Sequence, residues 1–282
     1  MRTIAVLTDF SERSVHATRF AMHMAKKMRA HILLFNLSAV RAVWQLQAVG
    51  YDGDRDNEAE NCLAAFSLKM EVDMRERTFP GTWLPDVSFN ADSTEMVDVI
   101  TAIVNNKEVE LVVTAPNANQ DLETFIMGDH CQRIIEWASV PVLVIPENAV
   151  VKNFEKIVFS TNFHPEDIHS IAQLGTLMDA FSAELMVAHL NATPSDPALL
   201  EAGRSLNRDL YQKISCGGVY FRSIPDVHAQ KDWQWLKVNK RSDILAVVQQ
   251  PKEAMSRFFS RGRGAQVTHH ITIPVMVLPK RP

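Results

Sequence analysis

Cysteine is scarce in this 282-residue chain: Cys62, Cys131 and Cys216 are widely spaced, odd in number and form no C-x-x-C pair, which argues against a disulfide framework or a cysteine-bound zinc. They read as reduced packing residues. Long apolar runs are missing too. Stretches such as Ile32–Phe35 and Val140–Ile145 fall far short of the roughly 18 residues that cross a bilayer, and Met1-Arg2-Thr3 leads into a predicted strand with no signal-peptide pattern. A cytoplasmic location with no membrane partner is the expectation. Nor does one sign of charge dominate: a formal net charge of -4 supplies no global attraction for nucleic acid. What is present, 46% hydrophobic and 22% charged residues, can bury a large core in one large or two ordinary domains.

The chain repeats itself. "TIAVLTDFSERSVHATRFAMHMAKKMRAHILLFNL" (3–37) matches "KIVFSTNFHPEDIHSIAQLGTLMDAFSAELMVAHL" (156–190) as strand, turn, helix and strand, with Asp9 opposite Asn162 at an offset of 153. The ends of the halves match as well, "VELVVTA" and "PVLVIP" against "SDILAVV" and "PVMVLP", at an offset of 133. The second copy is therefore 153 minus 133, or 20, residues shorter in its middle. Each copy reads as five strands alternating with four helices.

In the first half the pattern predicts strands near 3–8, 31–37, 84–89, 110–114 and 141–145, and helices near 12–28, 57–77, 93–106 and 127–138. Val15, Thr18, Phe20, Met22 and Ala25 keep an apolar stripe, and Ser11 and Ser14 offer capping hydroxyls. The strands are continuous apolar runs, as parallel strands covered by helices on both faces require. Right-handed crossovers then give an α/β fold of two tandem doubly wound, Rossmann-like, five-stranded parallel sheets. Residues 38–56 form an extra segment in the first copy, and the boundary falls near Glu147–Asn153, giving domains at 1–147 and 154–282.

This arrangement resembles a tandem universal stress protein over nearly the whole chain. The resemblance rests on Asp9-Phe10-Ser11 after the first strand, on the spacing before the fourth helix, and on the closing Val-Pro-Val-Leu-Val-Ile-Pro strand (140–146), met in order and twice. It implies an adenine nucleotide alpha hydrolase-like fold. It also implies where a nucleotide site would lie. In nucleotide-binding members the fourth strand ends in glycine, a second glycine follows after two residues, and after nine more Gly-Ser or Gly-Thr opens the last helix, with an aspartate after the first strand contacting the base.

On the first half that pattern falls on Ala115, Ala118 and Gly128-Asp129, with Asp9 as the aspartate. Two glycines are alanine and the hydroxyl is a carboxylate. Asp129 suits a helix cap, since its oxygen accepts the amides a phosphate would otherwise use. From Ala115 to Asp129 there are three acids, Asp121, Glu123 and Asp129, and no base. ATP binding in the family manner is not expected there, and no cofactor is called for. On the second half the pattern falls on Val248, Pro251 and Arg261-Gly262, with Asn162 as the counterpart of Asp9. "SRGRG", with Arg261, Gly262 and Arg263, reads as a solvated basic loop or as an anion site.

Other residues carry less. His164-Pro165-Glu166-Asp167 with His169 fits a helix opening better than a metal cluster, and His269-His270 reads as structural. Trp233 and Trp235 lie two apart in a predicted helix and face different directions. Met22, Met24 and Met28 read as helix packing, and no base accompanies Ser11 or Ser14 at a spacing that would make a nucleophile. The resemblance implies pairing of the two domains through their terminal strands, at Val142–Val144 and Val275–Val277, with a homodimer as a further possibility. The leading expectation is a non-enzymatic stress-response binding protein with an unidentified protein or small-molecule partner. An adenine-nucleotide sensor or weak nucleotidase, and an anion-binding module through Arg261 and Arg263, stand as alternatives.

Overall fold

A computed structural model of the chain describes residues 2–36, 58–91, 96–116, 126, 129–137, 139–161, 163–164, 166–191, 197–213, 218–225, 242–250 and 272–280. The chain divides into two compact units, Met1–Val151 and Lys152–Pro282. In the first, β1 (Thr3–Thr8), β2 (His31–Asn36), β3 (Val87–Asn90), β4 (Val109–Thr114) and β5 (Val142–Val144) alternate with α1 (Glu12–Met28), α2 (Glu58–Glu76), α3 (Met96–Asn105) and α4 (Asp129–Trp137). The strands lie in the order β3-β2-β1-β4-β5, all parallel. All six residues of β1 are buried, the burial on both faces that its unbroken apolar run predicts.

α1 forms where a capped, evenly spaced apolar stripe occurs. Thr18, Phe20, Met22 and Ala25 are buried together with Met24 and Met28, while Val15 is half-buried. Its end uses a left-handed residue, Arg29 at φ 53°, beyond which the Ala30 amide donates to the Ala25 carbonyl at 3.0 Å. β3 begins later than the predicted 84–89. Pro85 has no amide to give a ladder, and pairing with β2 runs from Val87 to Asn90.

The second unit holds β6 (Lys156–Ser160), α5 (Asp167–Gln173), α6 (Gly175–Phe181), β7 (Glu184–Asn191), α7 (Pro197–Lys213), β8 (Val219–Pro225), β9 (Ile244–Val248) and β10 (Val275–Leu278). Its parallel order, β8-β7-β6-β9-β10, repeats that of the first unit. Even the unusual backbone recurs at an offset of 153. Phe10 and Phe163 have φ 59° and 61°, Arg29 and Ser182 have φ 53° and 52°, and the Ala183 amide donates to the Met178 carbonyl as Ala30 does to Ala25.

One difference is visible in the matched segment. Where α1 is continuous for 17 residues, its counterpart is two helices of seven residues each, α5 and α6, which meet at Leu174. Gly175 stands opposite Met22 there, and a glycine in a helix interior costs about 0.5–1 kcal/mol relative to alanine. The Leu174 amide closes a tighter turn on Ile171 at 3.0 Å. The predicted Trp233–Trp235 helix, His269-His270, Cys216 and the extra segment 38–56 lie outside the described residues.

Candidate functional site

In a doubly wound sheet the natural ligand crevice lies outside the carboxyl ends of the two strands at which the winding reverses, here β1 and β4. The turn after β1 is built from side chains. Thr8 is buried, and its Oγ1 accepts the Phe10 amide at 3.0 Å and donates to Ser14 Oγ at 3.0 Å. That bond pulls Phe10 into the left-handed region, with its ring edge-on to Phe66 of α2 at 5.4 Å. Asp9 follows from the same geometry. Its Oδ1 accepts both the Ser11 amide, at 3.1 Å, and the Ser11 hydroxyl, at 2.5 Å, while Ser11 Oγ accepts the Ser14 amide at 3.3 Å and caps α1. One carboxylate oxygen of Asp9 is thus committed to holding its own turn.

Across the crevice Ala115 follows the last residue of β4 and is buried. Asp129 is the first residue of α4. Ahead of that helix Ile126 is fully buried, and its carbonyl accepts Gln132 Nε2 at 2.7 Å. Cys131 behind it is fully buried, and burial pushes its thiol far above the usual range, an inert packing group as its sequence context suggests. Near the start of α1 the Arg13 guanidinium is paired with Glu147 at 2.7 Å. Ala118 and Gly128 lie outside the described residues.

The second unit keeps the scaffold of this turn and changes its lining. Thr161 Oγ1 accepts the Phe163 amide at 2.8 Å, but its hydroxyl hydrogen goes to a carboxyl group, Asp167 Oδ2, at 2.5 Å, where the first unit has Ser14. Burial pushes the Asp167 carboxyl above the ordinary range, against the smaller opposing effect of the Thr161 hydrogen bond. His189, which corresponds in the repeat to Asn36 of the first unit, is buried and places Nδ1 2.8 Å from the Thr161 carbonyl. A carbonyl only accepts, so this nitrogen carries the proton. Its ring lies 4.0 Å from that of Phe163, and Phe221 adds a third ring 5.6 Å from Phe163. Gly203 of α7 admits this stack, since a Cβ there would come within 3.2 Å of the Phe163 ring.

Sequence reasoning missed this aromatic and imidazole cluster and took Asp167 only as a helix-opening acid. The signal available was the repeat itself, which sets Ser14 against Asp167 and Asn36 against His189. Asn162, Arg261, Gly262 and Arg263 lie outside the described residues. Among the described residues no group of His, Cys, Asp and Glu has a metal-holding arrangement, and no helix is long and apolar enough to cross a membrane.

Residues 1–146 match the model of the universal stress protein family, which is more than half of the chain. This chain belongs to the universal stress protein family. Membership supports a stress-response role of the universal stress protein type. Solved structures show the same fold over both units. A universal stress protein from Archaeoglobus fulgidus DSM 4304 superposes with a TM-score of 0.65 at 13% identity, covering 99% of this chain and 96% of that one. A putative universal stress protein from Pseudomonas aeruginosa UCBPP-PA14 gives 0.51 at 13% identity, covering 99% and 93%. The cytoplasmic domain of a prokaryotic cation chloride cotransporter gives 0.56 at 11% identity, covering 98% and 94%. No curated protein matches the chain.

Proposed function

We propose that this chain is a tandem universal stress protein that works by binding rather than by catalysis, and that its N-terminal crevice does not take ATP in the manner of nucleotide-binding members. The observation that carries this reading is Asp129 as the first residue of α4. A helix N-terminus attracts phosphate, but an ionised carboxylate about 4 Å from a phosphate charge costs on the order of 4 kcal/mol in a partly shielded site. That is about three decades of affinity. Two features of the turn after β1 support it. Asp9 already spends an oxygen on Ser11, and the Ser11 and Ser14 hydroxyls bond within the turn, Ser14 Oγ to the Ser11 carbonyl at 3.0 Å, so neither is arranged as a nucleophile. The repeated strand order of the second unit supports the tandem reading.

Isothermal titration with magnesium-ATP tests it. No binding is expected for the natural chain, and a gain of binding of at least about tenfold is expected for Asp129→Ser combined with Ala115→Gly and Ala118→Gly. Micromolar binding by the natural chain, abolished in Asp9→Ala, would return the nucleotide-sensor reading.

A further inference from the structure

A second cavity in the first unit lies well away from the crevice, between the later turns of α1 and α2. Its volume is about 180 Å³. Lys26, on its wall, stands fifteen residues beyond the capping Ser11, roughly 22 Å along the helix at 1.5 Å per residue. Its apolar lining is Met22 and Met70, both buried, with Met74, half-buried, and Val151. The same lining carries three cations, Arg19, Lys26 and Arg77, against a single acid, Asp73, a formal balance of +3 and -1.

The acid orients the cations rather than cancelling them. Arg19 and Arg77 donate their Nε atoms to the two different oxygens of Asp73, at 2.9 and 2.8 Å. Burial opposes ionisation of Asp73, but the bonds from Arg19 and Arg77 and their charges outweigh it, so the carboxyl stays below its ordinary range. Both guanidiniums keep their terminal Nη donors, the groups that grip a carboxylate in a fork. Methionine makes up most of the apolar lining, and its flexible thioether adapts to varied apolar shapes. An engineered cavity of about 150 Å³ takes one benzene, so this one suits an apolar body of roughly six to eight heavy atoms.

From this juxtaposition of a methionine-lined cavity with two guanidiniums held at its rim, we infer that the α1–α2 pocket binds a small amphipathic anion, an alkyl or aryl monocarboxylate. Its apolar body lies over Met22, Met70 and Met74, and its carboxylate meets Arg19 and Arg77. The inference is independent of the nucleotide question, because the site occupies the other end of α1 and uses none of the crevice residues.

Methyl-labelled methionine provides the readout. Octanoate added to the full chain is expected to shift the Met22, Met70 and Met74 methyl resonances saturably, with 1-octanol at least about tenfold weaker and added salt weakening the response. Arg19→Gln with Arg77→Gln is expected to weaken octanoate by at least about tenfold. If that variant does not fold because Asp73 loses its partners, adding Asp73→Asn removes the stranded charge and allows the same comparison. Absence of saturable shifts, equal shifts from octanol, or an unchanged affinity in the arginine variants would overturn the inference. Magnesium-ATP is expected to leave these methyls unmoved, so failure here and failure of the proposed function are separate results.

Discussion

At the end of its first strand the N-terminal unit sets a hydroxyl against a hydroxyl, Thr8 on Ser14, whereas the C-terminal unit sets a hydroxyl against a buried carboxyl, Thr161 on Asp167. The two turns otherwise coincide. Both threonines accept the amide two residues on, and both phenylalanines, Phe10 and Phe163, take the left-handed conformation. The backbone solution has been kept while the side chains facing the crevice have changed. The reason is energetic: the threonine hydroxyl satisfies an amide that would otherwise be stranded near the core, and leaving such a group unpaired costs about 1–3 kcal/mol. The lining has no such constraint. In the first unit Phe10 packs edge-on against Phe66, and in the second Phe163 stacks with His189 and Phe221.

The largest expected effect comes from removing each threonine. Thr161→Val strands the Phe163 amide and takes the threonine hydroxyl from a buried carboxyl, and a loss of roughly 2–4 kcal/mol is expected. Thr8→Val strands the Phe10 amide, but Ser14 keeps its bond to the Ser11 carbonyl, so roughly 1–2 kcal/mol is expected. Urea unfolding of the two full-length variants checks the order, and equal losses would erase the distinction between the units.

A subtler effect concerns pH. Because the Asp167 carboxyl is raised in the folded chain, the folded state holds its proton more tightly than the unfolded state does. The associated stability is complete below the unfolded carboxyl value of about 3.9 and is lost as pH rises through the raised folded value. Asp167→Ser, which installs the first unit's residue, is expected to remove that decline. Unfolding midpoints measured from about pH 4 upward would show the natural chain losing ground to the variant, and parallel curves would contradict the assignment. The smallest change is expected for Gly203→Ala. The added Cβ approaches the Phe163 ring at 3.2 Å, while helix propensity gains up to about 1 kcal/mol, so stability should move by under about 1 kcal/mol. The His189 ring resonances, by contrast, should shift.

Much of this fold was legible because it is local. The apolar runs of β1, β2, β4 and β5 and the Ser11 cap of α1 can be read from neighbouring residues, and the offset of 153 links the halves. The division of the second copy's first helix was less legible. Gly175 is visible in the sequence, but a single interior glycine is often tolerated, and only packing decides whether the helix continues. The candidate crevice was legible in register, through Asp9, Ala115 and Asp129, but not in bonding. That Asp9 turns back onto Ser11 depends on the left-handed Phe10 between them.

The sequence by itself determined the alternation of strands and helices, the repetition of the unit and the charge at the start of α4, since each is set by residue type and short spacing. The tertiary structure alone decided which distant groups meet. Arg19 reaches Asp73 across 54 residues, and His189 returns 28 residues to the Thr161 carbonyl. No periodicity encodes such pairs, because they exist only once the parallel crossovers have brought separate helices and strands side by side.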